Sequence, residues 1–417
     1  MTPLLRERAE RLMREADLDA LVLAKPENFQ WATGAFGGVA TFFRRAGAAL
    51  ALVPQSATQP LGAVIAPLFA DALRTRIGAE RVRTHVDWIE AVDIRATADD
   101  SDDAAQAVER AWSRQGRSRD FTRPAAFDAR AAFQALGELL AQDGLGRACI
   151  GLDLDFWPVL DHACLRQVLP GVEWVDASVT IGRIRAVKSA DEIERLRLAA
   201  AVAEDGMRAA IAQVREGASR EAIAAAWSTG VAAGATARGA RIKGQWEYIS
   251  VGPLPWQSAG VVARRGDVVK FDVGCLIDGY SSDCGRTFSV GPARPRARQI
   301  MAALHEAFER ALEVLRPGFP LRAVHEQATQ AMRRHGFERF ARGHFGHSLG
   351  LDTFCEVPPF IAAQADDPIE AGMVLSFETP FYVDGEGGFI IEDQFTITAD
   401  GAQAAWTLPR GLLELPV

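Results

Sequence analysis

Cysteine is scarce and unpaired in this chain: five residues, Cys149, Cys164, Cys275, Cys284 and Cys355, with no Cys-x-x-Cys among them. An odd number without paired spacing excludes a disulfide scaffold and a thiolate-rich zinc finger, and is the usage expected of a cytoplasmic protein. Long apolar runs are missing too. No window approaches the roughly 18 uninterrupted apolar residues of a membrane span. The opening stretch MTPLLRERAERLMREADLDA is a charged amphipathic helix rather than a signal peptide. No basic block offsets the net charge of −8, which argues against nucleic acid as a partner. Histidine is also rare, seven in all, with none between His162 and His305 and none after His347.

What is present is enough for two domains. The 417 residues exceed one ordinary domain, and 48% hydrophobic with 24% charged residues is a soluble globular composition. The first half predicts an α/β layer, parallel or mixed: a helix over 4–16, the buried strand Ala20-Leu21-Val22-Leu23, a turn at Lys25-Pro26-Glu27-Asn28, a strand over 46–53 and another over 148–153. A boundary falls at 178–190, dividing a domain over 1–180 from one over 185–417. There Ser189 precedes Ala190-Asp191-Glu192, a capping serine and an acidic first turn that open a long helix. A second helix starts after Gly217 with Ser219 as its cap. Strands begin at Asp267, and helices over 296–315 and 321–335 separate them from the last group of strands.

Five side chains in the final third form an ordered set of potential metal ligands. Asp272 and Asp283 lie in FDVGCLIDGYSSDCGRTF, His347 in GHFGHSLGLD, Glu378 in LSFETPFY and Glu392 in GFIIEDQF. The two aspartates flank Asp278-Gly279, a tight hairpin turn, so both can face one way. The two glutamates flank Asp384-Gly385-Glu386-Gly387-Gly388, again a hairpin with a Gly-rich turn. Two ribbons with two carboxylates each, and an imidazole from a glycine-flanked loop, can enclose two divalent ions such as manganese, iron, cobalt or zinc. Such a pair would acidify a bridging water, with Glu378 as proton acceptor, for attack on an amide or ester carbonyl.

The order of these ligands, with the phrases GYSSDCGRTF, GHSLGLD and IED, resembles the pita-bread family of methionine aminopeptidases, aminopeptidases P, prolidases and creatinases. The likeness covers 185–400 by motif and extends over 5–175 as a creatinase-type N-terminal domain. It implies a creatinase-like α/β domain followed by a pita-bread catalytic domain, two metal ions and a homodimer. Asp272 would chelate one ion, Asp283 and Glu392 would bridge both, and His347 and Glu378 would bind the other. In creatinase-like relatives the N-terminal domain reaches the partner's active site, which would let Phe42-Phe43-Arg44-Arg45 supply contacts in trans; an exposed surface loop is the competing reading.

The chain departs from the peptidases in the shell around that cage. One family histidine, upstream of the first aspartate, falls at or beside Pro255-Trp256. A second, beyond the ligand histidine, is Phe354, and the arginine often found two before the last ligand in aminopeptidases P is Ile390. Without those imidazoles to bond the scissile amide, the expected substrate is a small amino-acid-derived or non-peptide molecule cleaved at a C–N bond. An Xaa-Pro dipeptidase or aminopeptidase and a metal-dependent lyase of a small zwitterion remain as alternatives. A pure binding module is disfavoured because all five ligands are present. Trp256 and Phe354 are candidate pocket rings that could face a cationic group. Arg286 is a candidate for orienting a carboxylate. His344 makes an HxxH pair with His347, and Asp352 is a candidate proton shuttle.

Overall fold

Four consecutive apolar residues, Ala20–Leu23, form the fully buried strand β1. The structure is a computed structural model that describes residues 1–97, 99, 103–256, 259–352 and 356–416. It divides into two units, Met1–Ile181 and Gly182–Val417.

In the first unit β1 is followed by β2 (Ala49–Pro54), β3 (Gly62–Ile65), β4 (Val82–Thr84), β5 (Cys149–Leu152) and β6 (Glu173–Asp176). They make one mixed sheet in the order β4-β3-β2-β1-β5-β6. β1 runs antiparallel to β2 and parallel to β5. The predicted turn at Lys25–Asn28 is instead the start of a helix, Pro26–Thr33. Proline at its first position fits because that N–H needs no partner, and Gly34 ends it at φ +71°. Asp153, fully buried beyond β5, accepts bonds from the Ala24 and Lys25 N–H groups, Asn28 and Trp157. That carboxylate ties the exit of β1 to the exit of β5.

The second unit opens as its caps predict. Ser189 and Glu192 form a reciprocal capping box on the helix Ala190–Ile211, and Ser219 caps Arg220–Ala237. The strands are β7 (Ile242–Glu247), β8 (Ser250–Val251), β9 (Val268–Ile277), β10 (Tyr280–Ser281), β11 (Cys284–Val290), β12 (His344–Ser348), β13 (Val357–Ala362), β14 (Val374–Glu378), β15 (Phe381–Val383), β16 (Gly387–Phe389), β17 (Glu392–Ile397), β18 (Ala402–Ala404) and β19 (Leu413–Leu415). Eleven of them form one sheet whose backbone order is β10-β9-β11-β17-β14-β12-β13. Alternation along β9 sends Val269, Phe271, Val273 and Cys275 into a core with the first helix pair and leaves Lys270, Asp272 and Gly274 for the other face. The helices Pro295–Leu312 and Leu321–Arg334 cover the other half in the same way, over Leu375 and Phe377 of β14. No helix among the described residues is long and apolar enough to cross a membrane.

The aspartate hairpin turns where expected, with Asp278 at φ +52° and Gly279 at φ +93°. Two successive left-handed residues are the signature of a type I′ turn, whose twist suits paired strands. The glutamate hairpin differs in detail. β14 and β17 pair directly, while the Gly-rich turn closes an inner ribbon, β15–β16, folded out of the connection. Gly274 sits under Trp246, where a Cβ would lie 2.0 Å from the indole and 2.2 Å from the Ser282 carbonyl. Gly274→Ala is therefore expected to destabilise the protein by about 3 kcal/mol or more. Thermal unfolding checks this, and a variant melting with the wild type would show that the hairpin yields freely.

Candidate metal centre

Register and pleat decide where the acidic side chains point. Asp272 pairs with Gly285 across β9 and β11, Gly285 pairs with Glu392 of β17, and Glu392 pairs with Glu378 of β14. Directly opposed residues share a face, so three carboxylates stand in one row across the sheet. The next rung adds the rest. Asp283 lies two residues before Gly285, one place beyond the Cys284–Val273 pair, and His347 pairs with Ser376, two residues before Glu378. His347 therefore stands on a strand, not on the loop its glycine neighbours predict, and the strand fixes its direction.

The inner three converge. Ligand atoms of Asp283, His347 and Glu392 all lie within 4.8 Å of one another, and all three residues are buried. His347 Nε2 is 3.4 Å from Asp283 Oδ2, and its Nδ1 is 3.1 Å from the Ser348 carbonyl. Ser376 donates to Glu392 Oε1 at 2.8 Å. Glu392 Oε2 is buried with no hydrogen-bond partner among the described residues.

Charge at this cluster is out of balance. Complete burial pushes Glu392 well above the carboxylate range, and the charges of Asp283, Glu378 and Asp272 push the same way, against the Ser376 bond. For His347 burial acts downward, but the hydrogen bond and charge of Asp283 outweigh it and raise the imidazole to about 9. Crowded acids recruit protons when no other positive charge is at hand. A divalent cation supplies that charge and gives Glu392 Oε2 something to bind. Carboxylates with one imidazole are the donor set of hard or borderline divalent ions. The residues fit a metal.

The outer two carboxylates have protein cations beside them. Lys270 Nζ lies 3.2 Å from Asp272 Oδ2, and Arg342 Nη2 donates to Glu378 Oε1 at 2.7 Å. His344 Nδ1 is 3.8 Å from that same Glu378 oxygen, and burial lowers its pKa first of all. The structure thus gathers three predicted ligands into one cluster and sets Asp272 and Glu378 along the same row. Neither Lys270 nor Arg342 was expected. The lysine was visible in principle, since it stands two residues before Asp272 on the same strand face. The arginine comes from the loop before β12, where no periodicity points to it. Lys188, buried at the domain entry, bonds Ser348 Oγ at 2.6 Å and so braces the histidine strand.

The remaining candidates separate. Arg286 is no substrate ligand: it is 1% exposed, and its donors go to the carbonyls of Gly285, Glu392, Leu408 and Pro409 and to Asp393. All five of its N–H groups are used, and two of them hold Glu392 and Asp393 of β17. Trp256 is exposed and stacks on Tyr382 with centroids 4.9 Å apart. Asp352 is buried, its N–H bonded to the Gly279 carbonyl of the hairpin turn. Phe354 lies outside the described residues.

A carboxylate–imidazole cluster on one face of a mixed-order, largely antiparallel sheet, in the unit that follows an α/β unit along the chain, defines a metallohydrolase class. The chain belongs to metallopeptidase family M24: residues 194–399 match that family, and residues 6–187 match the Creatinase/Prolidase N-terminal domain. It is 31% identical over 270 residues to the probable dipeptidase PepE of Mycobacterium tuberculosis, spanning 63% of this chain and 69% of the relative. It is 30% identical over 234 residues to the Xaa-Pro dipeptidase of Pyrococcus furiosus, spanning 55% and 66%. Among solved structures, dipeptidase PepE from Mycobacterium ulcerans superposes with a TM-score of 0.74 at 24% identity over the whole of both chains. An Xaa-Pro dipeptidase from Bacillus anthracis gives 0.75 at 18% identity, over 99% of this chain and 100% of that one. At those identities the structural likeness speaks for the fold.

Two predictions follow from the site. Glu392→Gln removes a buried charge that a cation would offset, so the metal-free variant should melt at or above the wild type. Its affinity for Mn²⁺ or Zn²⁺, read by the metal-induced rise in melting temperature, should fall more than about a hundredfold. A variant melting far below the metal-free wild type would mean that something other than a cation stabilises Glu392. Arg286→Met should cost about 3 kcal/mol of stability by leaving Asp393 with one buried partner fewer, measured by denaturant unfolding; a loss of substrate affinity at unchanged stability would contradict its bracing role.

Proposed function

We propose that this chain is a metal-dependent hydrolase that cleaves the C–N bond of a small amino-acid-derived amide, using two divalent ions held by Asp272, Asp283, His347, Glu378 and Glu392. The observation that carries this is the single row of ligands, with three buried donors within 4.8 Å and two further carboxylates on the same face. When bound, such ions polarise a carbonyl and acidify water. The chain's own groups do the rest. Glu378 takes the proton from the attacking water, and Arg342, bonded to its Oε1, keeps it ionised for that role, with His344 near the same oxygen. Ser376 fixes Glu392, Asp283 fixes the His347 ring, and Lys188 fixes the strand that carries it. His344, a half-exposed imidazole beside Glu378, is the group that returns a proton to the leaving nitrogen. Asp352, buried beside the aspartate hairpin turn, remains a candidate shuttle.

The comparisons favour one narrower reading. A relative named as an Xaa-Pro dipeptidase and others named as dipeptidases make dipeptides the first substrates to test. The protein works as a homodimer in the cytoplasm. Support comes from the exposed rings of Phe36, Phe42 and Phe43 on the first unit and from the free thiols of Cys149, Cys164, Cys275 and Cys284. Within that segment Arg44 pairs with Glu27 and Arg45 with Asp161, so the aromatic residues rather than the arginines are its available surface.

The test is hydrolysis of a panel of dipeptides and N-acyl amino acids by protein stripped with a chelator and reloaded with Mn²⁺, Fe²⁺, Co²⁺ or Zn²⁺. Activity should vanish on stripping and return with one or more of these ions. Glu378→Gln should lower kcat by about 10²- to 10⁴-fold. Product masses that lack the added water would replace hydrolysis by elimination, and full activity in stripped protein would overturn the metal reading.

A further inference from the structure

One cation stands among apolar neighbours at the start of β9, in the run Val268-Val269-Lys270-Phe271. Lys270 is 3% exposed, and a charge at that depth persists only when it is paired. Two residues before Asp272, it shares that aspartate's face of the strand, and its Nζ lies 3.2 Å from Asp272 Oδ2. The same ammonium stands 5.3 Å from the centroid of the Tyr382 ring, a cation–π partner. Trp256, in sequence a candidate for facing a cation, stacks on Tyr382 with centroids 4.9 Å apart. The cation that this aromatic pair serves is the protein's own.

The lysine is built in. Ser250 of β8 opposes it across the sheet, and Gly388 of β16 lies against its stem. A Cβ at Gly388 would come 2.8 Å from Ser250 Oγ, 2.9 Å from the Pro255 carbonyl and 3.2 Å from Lys270 Cδ. A residue without a side chain is what leaves room there for the lysine. An ammonium is a compact point charge, so at Asp272 it is the nearest a side chain comes to standing in for a metal ion. At the inner end of the row the balance is reversed: Glu392 is 2% exposed, and its Oε2 has no hydrogen-bond partner among the described residues. A divalent ion arriving at Glu392 meets an acceptor whose bonding is unmet. One arriving at Asp272 meets a carboxylate that is already neutralised and a fixed positive charge that repels it.

We propose that Lys270 is a built-in counter-ion for Asp272 that makes the row unequal, with one ion resident at Asp283, His347 and Glu392 and the Asp272 end binding its ion about a hundredfold more weakly. The proposal rests on the two-ion reading of the row and adds how the second place fills. Asp272 stays a ligand, but one for which metal and lysine compete. The second ion is therefore exchanged with the surroundings rather than resident, and turnover rises with free metal over the range in which that end fills.

Metal binding tests this without turnover. Chelator-stripped protein is titrated with Mn²⁺ by calorimetry, and bound metal is counted by mass spectrometry after dialysis. The wild type should show one tight equivalent and a second about 10²-fold weaker. In Lys270→Met the second should tighten at least about tenfold relative to the first. If the lysine merely braces Asp272 as a ligand, the same substitution weakens the second equivalent, which overturns the proposal. An unchanged gap overturns it too, because the inequality then lies elsewhere in the site, and so do two equal equivalents in the wild type. Should the methionine variant fail to fold, Lys270→Gln drops the charge while keeping a polar end, and the gap should narrow in the same direction. In the wild type at one equivalent of Mn²⁺, electron paramagnetic resonance should show an isolated ion; a spin-coupled pair at that loading overturns the unequal row. Failure of the hydrolase reading would appear instead as this binding pattern in a protein that turns over no amide, and absence of bound metal would overturn both.

Discussion

Repulsion among four carboxylates on one face of a sheet is the constraint around which the second unit is built. Asp272, Asp283, Glu378 and Glu392 are brought together by strand register, and nothing in the backbone allows them to turn away. The apolar alternate positions, Phe271, Leu375 and Phe377, are committed to the helices on the other side. Moving one acid off the row would mean slipping its strand by a residue and exchanging its two faces. Packing therefore holds the acids in place, and their mutual charge has to be met by something positive.

The protein meets that charge unequally. The outer pair is balanced from within, by Lys270 at Asp272 and Arg342 at Glu378, while the imidazole of His347 approaches Asp283 and the hydroxyl of Ser376 bonds Glu392. The deficit is greatest at the fully buried Glu392. This gradient explains how one site could combine tight cation binding with proton transfer. The inner carboxylates are crowded where a cation would offset them, and Glu378, at the edge of the row, lies between a guanidinium and a second imidazole. The same arginine that balances Glu378 lines an adjoining cavity between the loop 336–342 and Pro380–Tyr382.

Much of this was legible in the residues, for definite reasons. The Asp278-Gly279 turn sets the aspartate hairpin because both residues accept positive φ, and the Ser189–Glu192 box marks where the catalytic unit's first helix begins. Ligand types in fixed order fall on strands whose alternation is plain. What could not be read was everything that depends on how distant segments meet. Arg286, three residues beyond Asp283, reads in sequence as a group that orients a carboxylate of the substrate, whereas in the fold it is buried and donates to Asp393 of β17. Arg342 joins the site through a loop, where spacing in sequence carries no direction, and Tyr382 through the short inner strand β15 folded out of a connection. The helix at Pro26–Thr33 reads as a turn in sequence because a proline at a helix's first position and one within a turn look alike until the following residues pack.

Anomalous diffraction from crystals equilibrated with Mn²⁺ or Zn²⁺ tests the central claim most directly. Convergence of these ligands on a cation predicts a strong peak about 2.0–2.3 Å from donor atoms of Asp283, His347 and Glu392, with a second ion reached by Asp272 or Glu378. A row of carboxylates that stays without a peak at saturating metal, or a peak bound elsewhere on the chain, would contradict it.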